Sequence, residues 1–463
     1  MTDRALDLAD IQGNVLGGFN TDIQVFVALA APVADALPKA AMWVAGLADA
    51  LTTVAEVRQQ RELMKQGATA TKLTWLCVAV SRNLLATTQP DLYIRDDAFN
   101  GGMLARAPSI LGDRTDPAVW EVGSVAKPVD ILLIVASNRE DTALQRADDL
   151  LASATAAGLT LSYRETCKRL PGEQEHFGFR DGISQPLILG DDIGGTMGAG
   201  NVVFGYPSVA GGIPVTPFHD ERCVADNGSL LVFRRLEQDV ALFAKFCDAE
   251  AARLAVQWPQ LTAPHLKSLL VGRWPSGVLA SVDLDHDPGT ALPDNEFDFS
   301  GDASGVKCPA GAHIRKVNPR NGQRDRVDVP RILRRGIPFG RPLAEDPVGR
   351  RGLNFVAFQT SIKGQFEFLT QHWMNSSEKP AKGQDLLVGR DEVSRSMTMT
   401  GPQGSVTVSA GSQQWITPTG GAYLFAPGRS GLRKLGTASA SLGLWKIKVL
   451  SIKALDIARG LWP

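Results

Sequence analysis

The chain has 463 residues, and its 48 Lys and Arg balance 49 Asp and Glu, so no global field draws it to nucleic acid or an anionic membrane. With 44% hydrophobic and 21% charged residues it has the composition of a soluble globular protein, long enough for two domains. No apolar run approaches the roughly 18 residues of a membrane helix, and five scattered cysteines without a CxxC pair argue against a disulfide scaffold or a structural zinc module. The acidic opening MTDRALDLADIQ lacks a secretory or twin-arginine signal, so a reducing cytoplasm is the expected location.

In chain order, residues 23–30 (IQVFVALA) read as a buried strand, and residues 38–66 as an Ala/Leu/Glu-rich helix with a proline near its start. LTWLCVAVS (73–81) and DILLIVAS (130–137) are the next β runs. Residues 139–157 form a helix closed by Gly158, and LTLSYRETC follows as a fourth strand. Strand, helix, strand, strand, helix, strand is the ferredoxin-like order, an antiparallel sheet with helices packed on it. A similar alternation recurs in residues 229–235 (strand), 239–257 (helix), 353–359 (strand), 363–375 (helix) and 422–426 (strand). The predicted class is α+β, with two ferredoxin-like domains over 1–212 and 213–463. Between them, Gly178 to Gly212 holds ten glycines in 35 residues. Gly198 and Gly200 lack a third glycine at Val203 and no Walker lysine follows, so this is a structural junction rather than a nucleotide loop.

Common catalytic signatures (HExxH, GxSxG, an EF-hand loop) are absent, and six histidines supply a multi-histidine metal site poorly. The acidic run 283–302 reads as a solvated loop, with a calcium or manganese site as the alternative. The strongest charge anomaly is 307–335. Its nine basic residues, Lys307, Arg315, Lys316, Arg320, Arg324, Arg326, Arg331, Arg334 and Arg335, face only Asp325 and Asp328. That concentration suits an anionic ligand, or else a solvated face, and the lack of interleaved aromatics disfavours single-stranded nucleic acid. His313 lies among these charges. A second segment, EHFGFRDGISQP (175–186), places Asp181 in a turn-prone loop, as a capping residue or a functional one.

Gly178-Phe179-Arg180-Asp181-Gly182 resembles the GxxDG motif of dye-decolorising peroxidases. AHIRKVNPR (312–320) is similar to that family's proximal-histidine segment, and ILRRGIPFG (332–340) to its distal-arginine segment. DIQGNVLGGF and GLNFVAFQ…QFEF extend the likeness from about Asp10 to Trp373, in order. Length and the missing signal look most like the longer intracellular bacterial branch. The family fold, two ferredoxin-like domains with haem held mainly by the C-terminal half, agrees with the element order.

The resemblance implies one haem b per chain with His313 as proximal iron ligand, an imidazole that leaves the opposite face open for peroxide. Its second nitrogen should meet a carboxylate, for which Glu367 is the candidate. Asp181 would carry a proton between the peroxide oxygens, and Arg334 would stabilise the charge that develops as their bond breaks. Leu353 and Phe355 would keep the pocket narrow and dry. Arg320, Arg315, Gly182, Ile183 and Ser184 would serve the haem propionates. Bulky donors would then give electrons through a surface relay, with Trp373 beside His372 as one candidate. The implied reaction reduces hydrogen peroxide to water while oxidising one-electron donors such as phenols, anthraquinone-type dyes and Mn(II). The alternatives are a non-enzymatic, deferrochelatase-like haem-handling protein and an anion-binding module without haem. No nucleic-acid or membrane partner is implied; a homo-oligomer and packaging inside a compartment are both compatible.

Overall fold

A computed structural model describes residues 5–66, 73–90, 92–208, 218–219, 224–283, 285–289, 295, 297–320, 329–390 and 394–440. Among the described residues the main sheet has nine strands, four of them from the first half: β1 (Ile23–Ala30), β2 (Trp75–Val80), β3 (Ile131–Ser137) and β4 (Thr160–Lys168). Five come from the second: β5 (Ser229–Gln238), β6 (Leu333–Arg334), β7 (Ile337–Phe339), β8 (Gly352–Gln359) and β9 (Ile416–Ala426). All pairings among them are antiparallel. β1 lies between β3 and β4, with Val25 opposite Val135 and Thr166, and β2 pairs with the outer edge of β3. In the second half β5 lies between β8 and β9, while β7 and β6 pair with the outer edge of β8. Each half therefore has the ferredoxin-like strand order, its first strand inside and its second strand at one edge.

The two edges then join. β4 meets β7 at Cys167–Phe339, and β2 meets β9 at Val80–Phe425, which closes the halves into one barrel-like sheet. Closure leaves both faces covered. Val25, Val27 and Leu29 of β1 pack outward against helical residues such as Trp43 and Leu150, while Phe26 and Ala28 point inward with Phe233 and Phe358. That double burial is why β1 reads as an unbroken apolar run rather than an alternating one. Among the described residues no helix is long and apolar enough to cross a membrane.

Three expectations change in detail. The helix expected over 38–66 is two helices, Leu37–Ala45 and Val54–Lys65. The chain between them turns in so that the Thr52 N–H reaches the Leu76 carbonyl of β2. Thr53 and Glu56 then form a reciprocal capping box that restarts the helix, a device worth about 1 kcal/mol. The paired strand β6–β7 had no counterpart in the sequence reading, because Arg335 and Gly336 interrupt its short apolar pattern. The segment Ile362–Met374 is helical with wide, π-type turns. The domain boundary placed at 212/213 lies outside the described residues.

A third core positions the site. The helices Val240–Leu254 and Ala263–Val271 pack with the hairpin Arg395–Gly401/Gly404–Gly411 around Phe243, Phe246, Leu269, Met397 and Trp415. Phe177 and Phe179 of the early loop are anchored in this same core.

Candidate active site

A cavity of about 320 Å³ lies between this core and the second-half strands. Its wall is mostly apolar, and it draws His313, Asp181, Arg334, Arg320, Leu353 and Phe355 together from separate elements.

His313 opens a short helix, His313–Val317, whose approach depends on two glycines. A Cβ at Gly311 would stand 2.5 Å from the Gln384 carbonyl oxygen, and one at Gly272 would stand 2.4 Å from Ile314. Gly272 also has φ +95°, a left-handed helix end that only glycine adopts without strain. The His313 Nδ1 lies 2.8 Å from Oδ2 of Asp385, a carboxylate that is fully buried. The other Asp385 oxygen accepts the backbone N–H groups of Leu387 and Val388, so the carboxylate cannot swing away. Nε2 is left as the imidazole nitrogen for the cavity.

This corrects the choice of Glu367 as the histidine's partner. Glu367 is gripped instead by Arg106, through Nε at 2.7 Å and Nη2 at 2.6 Å, and accepts a hydrogen bond from the Tyr423 hydroxyl. A sequence window offers no sign of Asp385. It lies 72 residues from His313 in an unremarkable loop.

The loop 175–186 is built around Glu175, whose carboxylate accepts the N–H groups of Phe177 and Phe179. Burial pushes the Glu175 carboxyl up to about 7, against those donors and the Gln238 amide. Gly178 and Gly182 take the left-handed conformations that turn the loop, at φ +94° and +80°. Gln185 then clamps the loop to β6: it donates to the Arg334 carbonyl and accepts the Arg334 N–H, both at 3.1 Å. The sequence does not mark Gln185, since a glutamine in a turn carries no signal of its own.

The clamp sets Arg334 Nη1 at 2.9 Å from Asp181 Oδ1, which also accepts the Gly182 N–H at 2.6 Å. Burial pushes the Asp181 carboxyl up. The Arg334 charge, the Gly182 N–H and His313 outweigh it and hold the group below the usual carboxylate range. Asp181 is therefore an ionised base at neutral pH. The neighbouring Arg335 turns away, donating to the carbonyls of Asn14, Val15 and Leu16. His176 is equally committed elsewhere, with Nε2 at 2.7 Å from the Phe339 carbonyl and its pKa lowered by burial.

The other candidates divide. Gly182, Ile183 and Ser184 line the cavity, and Ser184 accepts a hydrogen bond from Arg273. Arg320 lines it too, with its guanidinium over the Phe297 ring and bonded to Asn295. Arg315 does not reach the cavity. It is buried against Asp302, the Cys308 carbonyl and the Phe299 ring, so its expected contact with a propionate is corrected to a brace for the preceding loop. Lys316 is likewise spent on the carbonyls of Lys379 and Ala381. Arg324 and Arg326 lie outside the described residues. The basic stretch is thus neither a solvated face nor one patch: Arg320, Arg331 and Arg334 converge on the cavity, while Arg315, Lys316 and Arg335 hold backbone. In the acidic run, Asp283 caps its own turn, and Asp302 caps residues 306–308 and pairs with Arg315. Among the described residues no three His, Cys, Asp or Glu side chains are grouped to hold a metal ion.

The donor set fits haem: one imidazole backed by a fixed carboxylate, apolar walls for a flat macrocycle, and cations at the cavity margin for its acid groups. Residues 10–166 match the family described as DyP dimeric alpha+beta barrel domain, and residues 280–388 the family described as Dyp-type peroxidase, C-terminal. The chain is 29% identical to dye-decolorizing peroxidase msp1 of Mycetinis scorodonius, over 92% of this chain and 87% of that one. It is 30% identical to the multifunctional dye peroxidase DyP2 of an Amycolatopsis species, over 73% and 78%. Among solved structures, an ancestral D-type dye decolorizing peroxidase superposes with a TM-score of 0.79 at 28% identity, over 93% of this chain and 99% of that one. The enzyme from Auricularia auricula-judae gives 0.76 at 27%, over 94% and 100%. On these matches and this geometry, the chain belongs to the dye-decolorising peroxidase family.

Proposed function

We propose that the protein is a haem b peroxidase, one haem per chain, that reduces hydrogen peroxide to water and takes the electrons singly from phenols and anthraquinone-type dyes. One observation carries this reading. A histidine with a carboxylate fixed on its far nitrogen shares a cavity with an ionised aspartate paired to an arginine.

When bound, haem supplies the iron that accepts peroxide and holds the oxidising equivalents. His313 would hold the iron through Nε2, and Asp385 would fix the ring in the tautomer that offers that nitrogen. Asp181, kept ionised by Arg334, would take the proton from one peroxide oxygen and hand it to the other. Arg334 would meet the negative charge on the departing oxygen, a contribution of about 3–4 kcal/mol for a preorganised donor. Leu353 and Phe355 would exclude water and bulky donors from this step. A protein that only bound or carried haem would need no such acid–base pair, so the haem-handling alternative is not favoured. Arg320, Gly182, Ile183 and Ser184 are the proposed propionate contacts. A cytoplasmic location is supported by the buried, unpaired thiols of Cys77, Cys167, Cys247 and Cys308.

The test is haem titration followed by peroxide turnover with a phenolic donor. Wild type should bind one equivalent and turn over; His313→Ala should lose most haem retention, with free imidazole restoring the iron spectrum. Full retention and an unchanged spectrum in His313→Ala would remove His313 as ligand.

A further inference from the structure

Glu367, displaced from the histidine by Asp385, is occupied with something else. Its side chain is 3% exposed and bound at two points by the Arg106 guanidinium. The hydroxyl of Tyr423, itself 4% exposed, donates to Glu367 Oε1 at 3.1 Å. The Tyr423 ring meets Phe366 edge-on at 6.3 Å, and Phe366 meets Phe355 at 5.9 Å. Phe366 and Phe355 both line the cavity. A buried phenol whose hydroxyl meets an arginine-paired glutamate is therefore one aromatic contact from the site, and the peroxide step makes no use of it.

A phenol is among the side chains most easily oxidised, provided its proton can leave with the electron. Burial and the Glu367 charge push the Tyr423 pKa up, so the resting group is neutral. Oxidation makes the hydroxyl strongly acidic, and Glu367 is already in place to accept. We propose that Tyr423 and Glu367 form a proton-coupled one-electron store for the site, an inference that rests on the peroxidase reading above. One electron leaves the ring for the peroxide-oxidised centre. The O–H bond breaks and its proton moves to Glu367 Oε1, leaving a neutral phenoxyl beside a neutral carboxyl and Arg106. When an external donor returns the electron, the proton returns to the phenolic oxygen. The stoichiometry gives the store a use: one peroxide delivers two oxidising equivalents, whereas donors consume them one at a time.

Tyr163 supplies the internal control. It too is hydrogen-bonded to a glutamate, Glu165, but its ring meets Phe233, which stacks on Phe26 inside the barrel, and among the described residues neither Phe233 nor Phe26 meets a ring that lines the cavity. The experiment is electron paramagnetic resonance on haem-loaded protein, freeze-quenched after one equivalent of hydrogen peroxide. Wild type and Tyr163→Phe should show a tyrosyl signal, and Tyr423→Phe should lose it at wild-type haem occupancy. Glu367→Gln should slow its appearance by roughly 100-fold, the lower end of what a positioned proton acceptor contributes. An undiminished signal in Tyr423→Phe overturns the proposal. So does a wild type whose haem band responds to peroxide without any tyrosyl signal; there the peroxidase reading stands and the store alone fails. A haem band that does not respond to peroxide removes both.

Discussion

Asp385 reaches His313 across 72 residues, and the hydrogen bond between them decides how the imidazole meets the cavity. Its two backbone donors leave the carboxylate no other orientation. Asp385→Asn keeps the shape but removes the charge, so haem affinity should fall 10–100-fold, the usual cost of losing such a partner. Transfer of haem to an acceptor protein measures this directly; an unchanged transfer rate would deprive Asp385 of its role. At this scale legibility in the sequence was uneven. Asp181, His313 and Arg334 each sit inside a local segment whose neighbours mark it. Asp385, Gln185 and the true partners of Glu367 depend on contacts between distant segments, which no window of residues contains. Glu367 occupies a helix that does line the cavity, but Arg106 and Tyr423 hold its carboxylate away from His313.

The elements that carry these residues are shaped by a few local devices. Gly272 ends the helix Ala263–Val271 in a left-handed turn and leaves the space into which Ile314 packs beside His313. Gly272→Ala adds backbone strain and a clash at once, each on the order of 1–3 kcal/mol. Chemical denaturation should register the loss of stability, and weakened haem binding should accompany it; loss of stability with native haem affinity would mean that the helix of His313 does not feel the glycine. The loop 175–186 answers to pH through Glu175. Its folded pKa, about 7, lies above the ordinary glutamate value near 4.3, so its contribution to stability is present at low pH and is lost as pH rises through about 7. Between about pH 4.3 and 7 the stability difference between wild type and Glu175→Gln should change by up to about 1.4 kcal/mol per pH unit, in favour of wild type on the acid side. Parallel profiles in thermal unfolding would contradict it. Strands β1 to β3 were readable because each is a nearly unbroken apolar run, and β4, which is mixed, because Gly158 closes the helix just before it. The β6–β7 strand was not, because its residues serve the site and the Asn14–Leu16 carbonyls as much as the sheet.

Across the whole molecule, closure of the four first-half strands with the five of the second half fixes where the chemistry sits. β6 and β8 belong to the closed sheet and bring Arg334, Leu353 and Phe355 to the cavity, while the loop 175–186 crosses from the first half to be clamped there by Gln185. The ferredoxin-like halves were legible from the order of elements; their closure was not, since it rests on single junctions at Cys167–Phe339 and Val80–Phe425. The central claim is that Asp181 and Arg334 perform the peroxide step on a haem held by His313. Single-turnover stopped-flow absorbance of the haem-loaded protein mixed with hydrogen peroxide tests it most directly. Arg334→Leu should slow the peroxide-dependent change of the haem band by about 100-fold or more, and Asp181→Asn by roughly 10²–10⁴-fold unless water held by Arg334 substitutes in part. Arg335→Leu, whose guanidinium points into the Asn14–Leu16 carbonyls, should react at close to the wild-type rate. A near-native rate in Arg334→Leu, or a loss confined to Arg335→Leu, would contradict the account.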